Sequence, residues 1–126
     1  MRKIKVLLAS RPKILSEVLR TVVGQQPDME VQGEVCDPIE LLFIAHAMHV
    51  DAIIVTPLEA REEPSICRHL FEGHPHLKIV TVSAKGDSTC LYQLGREKKL
   101  FKQASWQLIL DAIRESINQN AKENKL

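Results

Sequence analysis

Val6-Leu7-Leu8-Ala9-Ser10-Arg11-Pro12 is the stretch that decides how the rest of the chain is read. The unbroken apolar run Val6–Ala9 suits a strand buried on both faces rather than one with a wet side. After Ala9 the period changes. Pro12 fits the first turn of a helix, and Ile14, Val18, Leu19, Val22 and Val23 recur at helical spacing. Gly24 to Asp28 ends that helix with Gly and Pro punctuation. Met29 to Val35 then alternates apolar and polar side chains, the mark of a half-buried strand near a sheet edge.

The same alternation continues along the chain. Asp37 can cap a helix with Pro38 at its first position and Glu40 closing a capping box, and Leu41, Leu42, Ala45 and Met48 carry it on. Asp51-Ala52-Ile53-Ile54-Val55-Thr56 is a second buried strand, stopped by Pro57. A polar loop from Glu59 to Pro64 leads to a short helix with Ile66, Leu70 and Phe71, ended by Gly73 and Pro75. Leu77 to Ser83 is the next strand. Asp87 or Ser88 is expected to cap a weaker helix through Leu91 and Leu94 to Gly95, followed by a brief strand, Lys99-Leu100-Phe101. Ser105 caps a last helix with Leu108, Ile109, Ala112, Ile113 and Ile117 in one stripe. The expectation is a single domain over residues 1–117 and a polar, fraying C-terminal tail over 118–126. Five strands alternating with five helices imply right-handed crossovers and an α/β three-layer sandwich around a parallel sheet. In such sheets function gathers at the carboxyl ends of the strands. Those ends are Ser10-Arg11, Cys36-Asp37, Thr56-Pro57, Ser83-Ala84 and Lys102-Gln103.

Composition narrows the classes. The 126 residues carry 17 Lys and Arg against 16 Asp and Glu, a formal net charge of +1, with 44% hydrophobic and 26% charged residues. That is an ordinary globular balance, without the basic excess that general nucleic-acid binding needs to displace counterions. No apolar run approaches the ~18–20 residues that span a bilayer. The Met1–Val6 start lacks the apolar length and small-residue cleavage site of a signal peptide. Cys36, Cys67 and Cys90 are odd in number, far apart and without a CxxC, and read as reduced thiols of a cytoplasmic protein.

Several segments together resemble the receiver domain of bacterial two-component response regulators, in the subgroup that precedes a helix-turn-helix output domain. They are Lys5–Ala9, Gln26–Glu34, Val50–Val55 and Leu100–Ser105, and the similarity covers about residues 3–117. The resemblance implies a flavodoxin-like fold with a five-stranded parallel sheet in the order 2-1-3-4-5. It also implies an acidic pair after the first strand and an aspartate ending the third, which together bind Mg²⁺ while the aspartate accepts a phosphoryl group. Here the pair is replaced by Ser10-Arg11, and the acceptor position is Thr56. No carboxylate stands at any of the three places. A hydroxyl without a base is a poor nucleophile, and a guanidinium repels the cation. Ser83-Ala84 and Lys102 match the family's hydroxyl and lysine, whereas Lys99 stands where a switching aromatic is common and Pro57 departs from the usual loop. The result looks like a pseudo-receiver, a degenerate member without the family's phosphotransfer chemistry.

Ser10, Arg11, Thr56, Ser83 and Lys102 are therefore expected to converge on one degenerate phosphoacceptor pocket. Either it holds a small anion, or Arg11 fills the vacated metal position and locks the mouth, the favoured outcome. His46 and His49 share a helix face and His74 and His76 flank Pro75, but no cysteine or carboxylate completes a zinc-ligand spacing around them or His69. Cys36 lacks a base or a redox partner. The basic cluster Arg96, Lys98, Lys99 and Lys102 is interrupted by Glu97 and has no interleaved aromatics, so it reads as a solvated face. Tyr92, Arg96, Lys99, Trp106 and Asp111 fall in the region that mediates dimerisation in many receivers and form the candidate interface. The expected function is protein–protein signalling independent of aspartyl phosphorylation, non-enzymatic and without cofactor or metal. Its partner is a kinase, an output protein or a second copy, not a membrane or nucleic acid. The alternative is a small-anion or nucleotide sensor at the strand ends. An enzyme with Thr56 or Cys36 as nucleophile ranks last.

Overall fold

The computed structural model describes residues 3–9, 13–35, 38–55, 65–82, 88–95, 97–102 and 105–123. In chain order its elements are β1 (Ile4–Ala9), α1 (Lys13–Gly24), β2 (Met29–Glu34), α2 (Pro38–Met48), β3 (Ala52–Val55) and α3 (Ser65–Gly73). There follow β4 (Lys78–Val82), β5 (Ser88–Gln93), β6 (Lys99–Lys102) and α4 (Trp106–Glu123). One six-stranded sheet runs in the order β2-β1-β3-β4-β5-β6. The first four strands in that order pair in parallel, as three successive strand–helix alternations require. β5 is antiparallel to β4, and β6 is antiparallel to β5, so β6 again points with the parallel strands.

Alternation of side chains across the strands builds two cores. Val6 and Leu8 of β1, Ala52 and Ile54 of β3, Val80 and Val82 of β4 and Leu91 of β5 meet Leu19, Val23, Ile109, Leu110 and Ile113 of α1 and α4. On the other face Leu7, Ile53, Val55, Ile79 and Tyr92 meet Leu41 and Ala45 of α2 and Leu70 and Phe71 of α3. The unbroken apolar runs of β1, β3 and β4 are thus explained by helices on both sides. β2 lies at one edge with an irregular register between Val6 and Leu7, a common way of blunting an edge strand. Ser105 caps α4 as expected, its Oγ accepting the Leu108 N–H at 3.2 Å.

Two expectations are corrected. Ser88–Gln93 is a strand and not a helix, so among the described residues four helices and six strands stand where five of each were expected. Leu91 and Leu94 have helical spacing, but Thr89, Cys90 and Tyr92 favour a pleated surface. Side chains alternate between the two faces, Leu91 entering the α1–α4 core and Tyr92 the α2–α3 core. Second, the order 2-1-3-4 holds, but the sheet is mixed beyond β4 and the order does not end at five. Gly95, at φ +78°, supplies the left-handed turn residue between the hairpin strands β5 and β6. Helix α4 extends to Glu123, in a stretch without Gly or Pro.

Candidate functional site

The carboxyl edge of the sheet is organised by the parallel ladder. Ala9, the last residue of β1, lies opposite Val55, the last of β3, and Val55 lies opposite Thr81 of β4. Ser10 follows Ala9 and Thr56 follows Val55 in the chain, but Ser10, Arg11, Thr56 and Ser83 lie outside the described residues. Lys102 is the one member of the expected pocket that is placed. It is exposed at the end of β6, opposite Ser88 of β5. Because β5 is inserted between β4 and β6, Lys102 stands one strand spacing, about 4.8 Å, farther from β3 than a five-stranded order implies.

Two carboxylates in the neighbouring strands and loops have structural work. Asp51 lies at the amino end of β3, opposite to the candidate pocket. Its Oδ2 accepts the Lys5 N–H at 2.9 Å, its own N–H donates to the Lys5 carbonyl, and its carbonyl accepts the Lys78 N–H. It therefore ties β1, β3 and β4 together before they enter the core. Glu34, ending β2 beside Leu8, is engaged by the Arg20 Nε of α1 at 2.9 Å. Among the described residues no group of three His, Cys, Asp or Glu side chains is placed to hold a metal ion.

The candidate interface residues differ in exposure where the structure describes them. Tyr92 is 8% exposed and packs with the α2–α3 core, because its ladder partner is the fully buried Ile79. Trp106 is half-buried against the α1–α4 core. Lys99 is exposed on β6, and Arg96 lies outside the described residues. Asp111 is exposed and accepts hydrogen bonds from Arg114 Nη1 at 2.7 Å and Gln107 Nε2 at 3.0 Å.

The histidines are partly gathered. The His46 and His74 rings meet edge to face with centroids 5.9 Å apart. Burial holds the His74 imidazole below its ordinary pKa, and the charges of His46 and His49 push it in the same direction. The Nε2 of His74 is buried without a hydrogen-bond partner. His49 has a left-handed backbone (φ +45°) where α2 ends, a position that glycine usually takes. His69 and His76 are exposed. Cys90 is a half-buried free thiol, and Cys36 lies outside the described residues.

Two features escaped the sequence reading. Lys78 is 2% exposed, and its Nζ donates to Gln93 Oε1 at 3.2 Å, the two residues being opposite each other in the β4–β5 ladder. The signal was a lysine inside an apolar strand, but its partner became evident only once Gln93 was a strand residue. Arg114 of α4 forms a two-pronged bridge to Asp28, Nε to Oδ2 at 2.6 Å and Nη2 to Oδ1 at 2.7 Å, and also contacts Gln26. This clamp fastens α4 to the turn before β2, whose Asp28 carbonyl also accepts the Ile4 N–H.

No family model matches the sequence, and no curated protein matches it. Among solved structures, the fold is similar to the response regulator domain of CheB from Thermotoga maritima, with a TM-score of 0.64 and 20% identity over 93% of this chain and 98% of that one. The likeness extends over nearly the whole chain and is one of fold. Among the described residues no helix is long and apolar enough to cross a membrane.

Proposed function

We propose that the chain is a signalling domain of receiver type that acts by binding another protein, without aspartyl phosphorylation and without catalysing a reaction. The observation that supports it is the identity of the residues following the two central strands. Ser10 and Arg11 follow β1 and Thr56 follows β3, where phosphotransfer would need carboxylates for Mg²⁺ and an aspartate to accept the phosphoryl group. A cation would be opposed by the Arg11 charge, and a threonine hydroxyl is a weak nucleophile unless a base activates it. The anion-sensor alternative has less support, since Lys102 stands an additional strand away from β3.

An amide chemical-shift titration with Mg²⁺, then with Mg²⁺ and beryllofluoride, an acyl-phosphate mimic, tests this function. The expected result is silence at residues 10, 11, 56, 83 and 102 and at the adjoining Ala9, Val55 and Thr81. Saturable shifts there would overturn it and restore a phosphorylation switch. Phosphate or nucleotide alone producing such shifts would favour the sensor instead.

A further inference from the structure

β6 closes one side of the sheet. Its inner edge pairs with β5, and among the described residues nothing pairs with its outer edge. In an antiparallel ladder alternate residues turn both N–H and C=O towards the same neighbour. Two of the 4 residues of β6 therefore direct both groups outward. Glu97, Lys98, Lys99, Leu100 and Lys102 are all exposed. Leu100 is 54% exposed although it is apolar, and it lies opposite half-buried Cys90 on the face shared with Tyr92. Burial on that face thus fades outward from Tyr92 to Leu100, because a strand stands where a covering helix was expected.

The charges select the occupant. Among the described residues no ion pair engages Lys98, Lys99 or Lys102. Edge lysines disfavour pairing with a second copy: a two-fold antiparallel pairing centred on Leu100 would set Lys98 against Lys102 of the other copy. The same lysines favour a strand rich in carboxylates.

We propose that the outer edge of β6 is a docking site for an extended acidic segment of a partner protein, which joins the sheet as an additional strand. The proposal rests on the protein-binding function above and specifies its surface and partner class. The partner's backbone takes the outward N–H and C=O groups, its carboxylates meet Lys98, Lys99 and Lys102, and an apolar side chain lies against Leu100.

The test uses the ¹⁵N-labelled full chain and a synthetic seven-residue peptide with valine at its centre and glutamate elsewhere, so that valine meets Leu100 while glutamates face Lys98 and Lys102 on the same side and Lys99 on the other, with the same peptide carrying lysine in place of glutamate as control. The acidic peptide should produce saturable shifts centred on Lys99–Lys102. Its affinity should fall about tenfold between 50 mM and 500 mM salt, as screening weakens exposed charge pairs. Lys99→Glu with Lys102→Glu should weaken binding at least tenfold, and Leu100→Ser severalfold, each with an otherwise unchanged amide spectrum. No shifts at millimolar acidic peptide, equal shifts with the basic peptide, or shifts centred on β2 would overturn the docking site. So would self-association of the chain that Lys99→Glu abolishes. Loss of this site leaves the beryllofluoride result untouched, and saturable beryllofluoride shifts leave the peptide result standing, so the two failures are distinguishable.

Discussion

Replacing Arg114 with methionine should cost stability through one contact, the bridge to Asp28 that holds α4 against the turn before β2. The two charge-assisted hydrogen bonds, at 2.6 and 2.7 Å, are joined by a third from Nη1 to Asp111. Arg114 is 22% exposed and Asp28 36%, so solvent screens the pair and the surface carboxylate of Asp111 contributes little. Charged hydrogen bonds contribute about 1.5–3 kcal/mol when buried, and discounting for exposure leaves about 1.5 kcal/mol for the bidentate pair. At about 2 cal/mol/K of unfolding entropy per residue, this domain should lose about 6 °C of melting temperature. Urea unfolding of Arg114→Met, Asp28→Asn and the double variant isolates the coupling energy. The pair has a pH signature too. The Arg114 hydrogen bond holds the Asp28 carboxyl below its ordinary value of 3.8. Its contribution is therefore present above that value and is lost as pH falls through the depressed folded-state pKa. A coupling energy below about 0.3 kcal/mol at pH 7, within the usual scatter of independent sites, would refute the clamp.

Two further outcomes follow from the backbone and from burial. Gly95→Ala should destabilise by about 1 kcal/mol, because φ +78° is unfavourable for a residue with a Cβ although no heavy atom stands within 4 Å of it; unchanged urea midpoints would mean that the turn relaxes freely. Burial disfavours the charged form of His74 in the folded state, so stability should hold above the ordinary pKa of 6.5 and decline as the pH drops below it towards the lower folded-state value. His74→Gln should flatten that part of a stability–pH profile, and an unaltered slope would assign it to other groups.

Most of the architecture was legible because it rests on period. β1, β3 and β4 are unbroken apolar runs with helices on both sides, and their flanking helices begin and end at caps, prolines and glycines. These signals are local, so the order of elements through Val82 and the buried faces of α1 and α4 could be read directly. Ser88–Gln93 was not legible in the same way. With Leu94 just beyond it, the stretch admits both Leu91/Leu94 helical spacing and strand alternation, and local propensity is too weak to choose between them. Pairing with Val82, Thr81 and Val80 decided it, and pairing is a property of the assembled sheet.

The division is the same for function. The residue types at positions 10, 11 and 56 are covalent facts, and with them the chain by itself determined that no carboxylate stands at these three positions after β1 and β3. Only the tertiary structure decided that Tyr92 is core, that Lys102 stands an additional strand from β3, and that three lysines share an open edge. Chemistry resides in single side chains and can be read one residue at a time. Burial and exposure depend on which distant segment completes the layer, and that is set only when the sheet closes.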